Sequence, residues 1–362
     1  MFTNSMEQVK KYELIKDDTV KVTALNYLIS KDNPNELVKI GDVDDIDGER
    51  ILSYEVDIYR IRALRDFGDV KKGDLGGYVQ SEENLSHEGN AWVYDEAKVY
   101  GKACVRDNAQ IRDEAEVSGF AEVFGNAVLD DESFVSEYAK VYGNSQLSGG
   151  AQIELEAEVY DNAEISNGAL ISGHARVYGN ACVSDESVVC DYAEVYGKAE
   201  VFNYAYVGGH AKVYGNATVY GQAEVNGDAE VYGVAKVFGN ALVCDHVKVY
   251  GYGAICDRAE VTKDAEVTKS LDCIFFRSDW EKARWNKEIQ VIDNLVGDRL
   301  TYTHSNQKWH IGRFYGSGEE LIAEAYKKDQ QTGDWFKAHV EFVKTLHNIK
   351  EHYADDEMTE KQ

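Results

Sequence analysis

The chain has 362 residues, 44% of them hydrophobic, a single proline, and a formal charge of −27 from 65 acidic against 38 basic side chains. That is too apolar for a disordered chain, and too acidic to favour direct contact with nucleic acid or anionic lipid. No apolar run nears the roughly 20 residues of a membrane span. The start, MFTNSMEQVKKYE, has no signal-peptide core, and the six cysteines, with no CxxC pair, read as reduced thiols of a bacterial cytoplasm.

Residues 1–84 predict a small β-rich cap. KYELI, TVKVTALNYLI and VDIYRIRAL have the β-branched and aromatic content of strands. DDTV, the turn Asn33-Pro34-Asn35 and the acidic loop GDVDDIDGER are expected to separate them. Leu85 stands two residues out of phase with the aliphatic positions that follow, so 77–90 is expected to form an irregular lead-in rung.

From Ala91 to Ser270 the chain is thirty consecutive hexads, A-x-V-x-x-x, without an insertion. The third position is Val, Ile or Leu in all thirty; the first is Ala except at Ser133, Ser145, Ser187, Val247 and Gly253. A fixed short period marks a solenoid. Side chains alternate along a strand, so an inward aliphatic residue leaves the second and fourth positions outside, where Glu, Lys, Tyr, Ser and Asp stand. The G-N, D-N and D-E pairs are corner chemistry, because Gly and Asn tolerate positive φ at little cost. Three hexads then make one triangular coil and thirty make ten.

Residues 18 apart should stack in columns. One column reads Glu122, Lys140, Glu158, Arg176, Glu194, Lys212, Glu230, Lys248, Glu266, alternating in charge throughout. Two residues on stand Phe124, Tyr142, Tyr160, Tyr178, Tyr196, Tyr214, Tyr232 and Tyr250. Both ladders demand coils in register, and a slip of one coil would set like charges together.

Residues 271–362 predict a small α+β domain. RLTYTH and KWHIGRFYG suggest a hairpin across Ser305-Asn306, and Ser317-Gly318-Glu319-Glu320 a capping box opening a helix that ends near Gly333. Asp334 is then expected to cap a second helix with Trp335, Phe336, His339, Phe342, Val343, Leu346 and Ile349 on one side, and ADDEMTEKQ to fray.

The spacing of an aliphatic residue and a small one four positions later, as in Val141 with Ser145 or Val213 with Ala217, resembles the hexapeptide-repeat left-handed parallel β-helix. The resemblance implies an all-β solenoid with a left hand, spanning 85–270. Its best-known members are acyltransferases, typically trimers that bind acyl-CoA between prisms and use a histidine base placed with the help of a loop interrupting the hexads. Here nothing interrupts them. Tyr59 to Ala97, the hexads and KWHIGRFYGSGEELIAEAYKK together resemble phage and prophage proteins of gut bacteria, a family that brings no established activity with it.

No catalytic motif or cofactor loop is present; the glycines are corners. His210, Asp228, His246 and Asp264 stack on one corner, where they could hold a divalent metal or simply stabilise the edge. The tyrosine column reads as cladding or as a contact face. On another wall Phe134, Leu170, Val188, Tyr206 and Leu242 face outward beside small residues, which suits self-association into a homo-oligomer or docking of a terminal domain. The hexads alone carry −16 of the charge. The expected function is a non-enzymatic acidic β-solenoid, phage- or prophage-encoded, that occupies the basic groove of a host protein, a defence nuclease or other nucleic-acid-binding protein. A self-assembling spacer and a hexapeptide-repeat acyltransferase are the alternatives.

Overall fold

A computed structural model of the chain describes residues 10–25, 28–29, 37–38, 53–256, 259–261, 266–267, 289–293, 299–303, 308–311 and 314–359. Five strands precede the hexads: β1 (Tyr12–Leu25), β2 (Leu28–Ile29), β3 (Leu37–Val38), β4 (Ser53–Ala63) and β5 (Leu75–Val79). Each hexad then gives one short strand, β6 to β35, between Trp92–Val93 and Glu266–Val267. These thirty strands form three parallel sheets with ten hexad strands in each. Every third strand pairs with the next in a register of 18, as Glu122 does with Lys140 and Lys140 with Glu158. The solenoid has about ten turns.

The hexad letters explain the coil. The inward Val, Ile and Leu and the first-position Ala are buried throughout the described prism. Each inward valine contributes roughly 1.5–3 kcal/mol of apolar burial. Where Ser replaces Ala it remains buried, and the Ser145 hydroxyl donates to the Tyr142 carbonyl at 3.0 Å. At the corners the chain enters the left-handed region, as at Asp107 (φ 63°), Gly125 (φ 72°), Gly143 (φ 76°) and Asp161 (φ 61°). Aspartate there has a second use. The Asp107 carboxylate accepts from the Gly125 N–H at 3.1 Å and Asp161 from Gly179 at 3.2 Å, so one corner caps the next. Leu155 (φ 60°) is the apolar exception among these corners, which otherwise hold Gly, Asp, Asn or Glu in the described residues.

The lead-in rung is where the phase slips. Val79 pairs with Val99 and Leu85 with Val105, each 20 residues apart, whereas Trp92 pairs with Gln110 in the register of 18. The two extra residues therefore lie between Leu85 and Trp92. Asn84, buried to 1% exposure, holds this turn by donating to the Ala103 carbonyl at 2.9 Å while its own oxygen accepts from the Ser81 N–H.

The cap shares a sheet with one wall, in the order β1-β4-β5 and then the hexad strands. Tyr12, Ile61, Phe67 and Val70 continue the apolar core of the coils and plug its open end. Lys11, with no exposed surface, donates from Nζ to the Ala91 carbonyl at 2.8 Å, and burial, with Arg65 nearby, pushes its amine down to about 8. KYELI and TVKVTAL are one strand rather than two. DDTV does not break the chain; the register against β4 shifts between Ile15 and Thr19, so the polar residues bulge out and Asp18 reaches Arg60 Nε at 3.0 Å. The Asn33-Pro34-Asn35 turn and the acidic loop lie outside the described residues.

Later in the chain β36 (Ile289–Asp293), β37 (Arg299–Thr303), β38 (Lys308–Ile311) and β39 (Phe314–Gly316) form an antiparallel sheet followed by α1 (Gly318–Lys328) and α2 (Gln330–Thr359). The expected hairpin joins β37 to β38, with Thr303 opposite Lys308. The Ser317 capping box forms, closed by Glu320. The helix break, however, falls at Asp329 and not at Gly333. The Asp329 carboxylate accepts from the Thr332 N–H and hydroxyl, both at 2.7 Å, and so caps α2 itself. Gly333 lies inside α2 for packing reasons, since a Cβ there would fall 2.1 Å from the Tyr326 ring. Asp334 accepts from the Tyr326 hydroxyl instead of capping. Phe336, Val340 and Val343 are the buried stripe; Phe342, expected with them, is 59% exposed. The helix continues to Thr359, through the segment expected to fray.

Candidate binding surfaces

Two residues of each hexad face outward, one on the short strand and one just after it, so each wall carries two ladders and each corner a ridge. On the tyrosine wall the rings of Phe124 and Tyr142 through Tyr250 stack with centroids 4.8–5.0 Å apart and planes within 1–4°. Every other hydroxyl is used. Tyr142, Tyr178 and Tyr214 donate to Glu158, Glu194 and Glu230 of the following coil at 3.4, 3.1 and 2.8 Å. Burial, with Glu158 beside it, pushes the Tyr142 hydroxyl up to about 12. Burial alone would raise Glu230, but Tyr214 and Lys248, whose Nζ is 3.3 Å away, outweigh it and hold that carboxyl below its ordinary value. Because each ring covers the face of the next, Tyr142, Tyr160, Tyr178, Tyr196, Tyr214, Tyr232 and Tyr250 offer edges and hydroxyls to a partner rather than faces for a base or sugar.

The next corner carries the histidines. His174 Nδ1 lies 3.1 Å from Glu156, and its ring stacks on Tyr192, which stacks in turn on His210 at 5.0 Å. His246 Nδ1 lies 3.4 Å from Asp228. Asp264 is outside the described residues. Among the described residues no group of three or more His, Cys, Asp or Glu side chains could hold a metal ion.

On the apolar wall the register places Phe134, Leu170, Val188, Tyr206 and Leu242 in one outward column, with Gln152 between Phe134 and Leu170 and Glu224 between Tyr206 and Leu242. Tyr206 lies flat. Its oxygen accepts from the Cys190 thiol at 3.1 Å, and its ring occupies the space a Cβ of Gly208 would need.

Another ridge is the one sequence reasoning missed. Asp95-Glu96, Asp113-Glu114 and Asp131-Glu132 stand on successive coils, and all of them but Glu96, which pairs with Arg60 at 2.7 Å, edge two shallow hollows of about 410 and 520 Å³. Asp130 and Asp69 add to the second, with Arg112 the cation in its lining. Burial pushes the Asp130 carboxyl up; Arg112, with Nε 4.0 Å away, opposes this, while Asp113 and Asp131 reinforce it. The spacing of acidic pairs by 18 was the available signal.

No known family profile matches the chain. A protein of Escherichia coli (strain K12) named as the uncharacterized acetyltransferase YdcK is 37% identical over 68 residues, 17% of this chain and 21% of that relative. The chain thus spans about a fifth of the length of the curated relative it matches. No helix among the described residues is long and apolar enough to cross a membrane.

Proposed function

We propose that this chain is a non-catalytic binding protein, a rigid acidic rod that engages a basic protein. The observation that carries the reading is the unbroken register of 18 along the whole described prism, from Trp92 onward, with every outward position laid into a wall or ridge and no loop leaving it. Loops positioned by a scaffold usually carry reaction chemistry. Paired acids, Asp95-Glu96, Asp113-Glu114 and Asp131-Glu132, stand on three successive coils of one ridge, their carboxylates rising in steps of about 4.8 Å, with Glu96 held by Arg60. Such a row suits a groove built for a phosphate backbone, so the partner class is a nuclease or another nucleic-acid-binding protein, in keeping with a phage or prophage origin.

Immobilised protein exposed to a bacterial lysate in low salt should retain basic nucleic-acid-binding proteins and release them as salt is raised. A purified nuclease so captured should lose activity on duplex DNA when the rod is added. Retention insensitive to salt, or captured nucleases whose activity is unchanged, would overturn the reading.

The likeness to YdcK favours a second reading, acetyl transfer from a coenzyme A thioester. Calorimetric titration with acetyl-CoA separates the two: binding below millimolar concentration supports transfer, and none removes it.

A further inference from the structure

The apolar wall has a symmetry that the repeat does not impose. Read along the stack, its outward column is Glu116, Phe134, Gln152, Leu170, Val188, Tyr206, Glu224, Leu242 and Glu260. Taken from Val188 outward, Leu170 matches Tyr206, Gln152 matches Glu224, Phe134 matches Leu242, and Glu116 matches Glu260. The companion column two residues on follows the same plan about Cys190: Ser172 with Gly208, Glu154 with Asn226, Ser136 with Cys244. In the first column apolar answers apolar and polar answers polar at every step; in the second, small answers small and Glu154 answers Asn226.

A two-fold axis lying in the interface, at right angles to the prism, needs that property, because residue i of one copy then meets residue j of the other, and j meets i. We infer that two copies of this chain pair wall to wall with their prisms antiparallel, on an axis through Val188. The pairing sets Gln152 against Glu224 and Glu154 against Asn226 of the second copy, an amide facing a carboxylate each time. A parallel pairing about an axis along the prism would instead bring this column against its companion at the same height, Phe134 on Ser136 and Leu242 on Cys244, and would leave the matched order about Val188 without a use. Glu154 is half-buried already, so an amide opposite it is the favourable partner there. The flat lie of Tyr206 over Gly208 keeps the wall smooth enough for close approach.

Size agrees. From Glu116 to Glu260 the wall rises eight steps of about 4.8 Å, and a face of four to five strand residues is about 15 Å wide. Two such faces cover roughly 1,100 Å², above the ~1,000 Å² of a specific interface. The described cap buries Tyr78 and Tyr100, the rungs just before Glu116, so the strip starts where the cap stops. The inference stands independently of the basic partner proposed above.

Cysteine crosslinking tests it, in full-length protein with Cys190 and Cys244 replaced by Ser. Val188→Cys should give a covalent dimer on mild oxidation. Phe134→Cys alone should not, while Phe134→Cys with Leu242→Cys should. By sedimentation the parent protein should be a dimer at micromolar concentration, and Val188→Arg a monomer with unchanged thermal unfolding. A parent that is monomeric at every concentration, a trimer, or a crosslink through Phe134→Cys alone would each overturn the antiparallel pairing.

Discussion

The middle of the prism and its N-terminal end solve the same problem in opposite ways. Between Glu122 and Tyr250 a side chain's partner lies one coil away: ring on ring, Tyr hydroxyl on Glu, Asn126 Nδ2 on Asn144 Oδ1 at 2.9 Å. At the end no such neighbour exists. Contacts there are made once, over long sequence separations: Lys11 to Ala91, Tyr12 to the Leu85 carbonyl at 2.9 Å, and Arg60 to Asp18, Glu96 and the Tyr78 ring. The lesson is that repetition spreads small gains over many rungs, whereas closing the stack concentrates a few costly groups in one place.

The largest expected effect tests the costly end. Lys11 has a folded-state value near 8 against an ordinary 10.5, so the unfolded chain binds the extra proton between those limits and stability rises with pH across that window. Relative to Lys11→Met, the parent should gain on the order of 3 kcal/mol from pH 8 to 10.5, read by urea unfolding. Parallel curves would mean that the end is no more costly than the middle. On the repeating side, Tyr178→Ala removes two stacked contacts and the bond to Glu194 and should cost about 2 kcal/mol; Tyr178→Phe should lose less than half of that. A corner offers a gain instead: Leu155→Gly relieves a left-handed backbone and should add about 1 kcal/mol. The smallest effect is acidic. The depressed carboxyl of Glu230 supplies stability that is complete above its ordinary 4.5 and lost as pH falls through its folded value. Glu230→Gln should abolish that increment, which is under about 1 kcal/mol.

The same contrast explains what could be read from the amino acids alone. Wherever a partner lies 18 residues away, the column is visible on paper, and the tyrosine, charge and apolar ladders all stand where the period put them. The period was silent on Lys11, Asn84 and Arg60, whose partners lie at separations that nothing repeats. It also could not say that Asp329 rather than Asp334 opens the last helix. Both are acceptable caps, and the choice follows from Gly333 admitting the Tyr326 ring. The acidic ridge was legible but unread, since its carboxylates sit in corner pairs that also serve as turns.

The Glu–Lys alternation repeats only after two coils, so 36 residues, not 18, is the unit by which this molecule can be lengthened or trimmed without penalty. Excising residues 157–174 alone would bring Lys140 beside Arg176, whereas excising 157–192 returns Lys140 to a glutamate, Glu194. Descendants of such a gene should therefore differ in height by even numbers of storeys, each pair adding or removing about 10 Å.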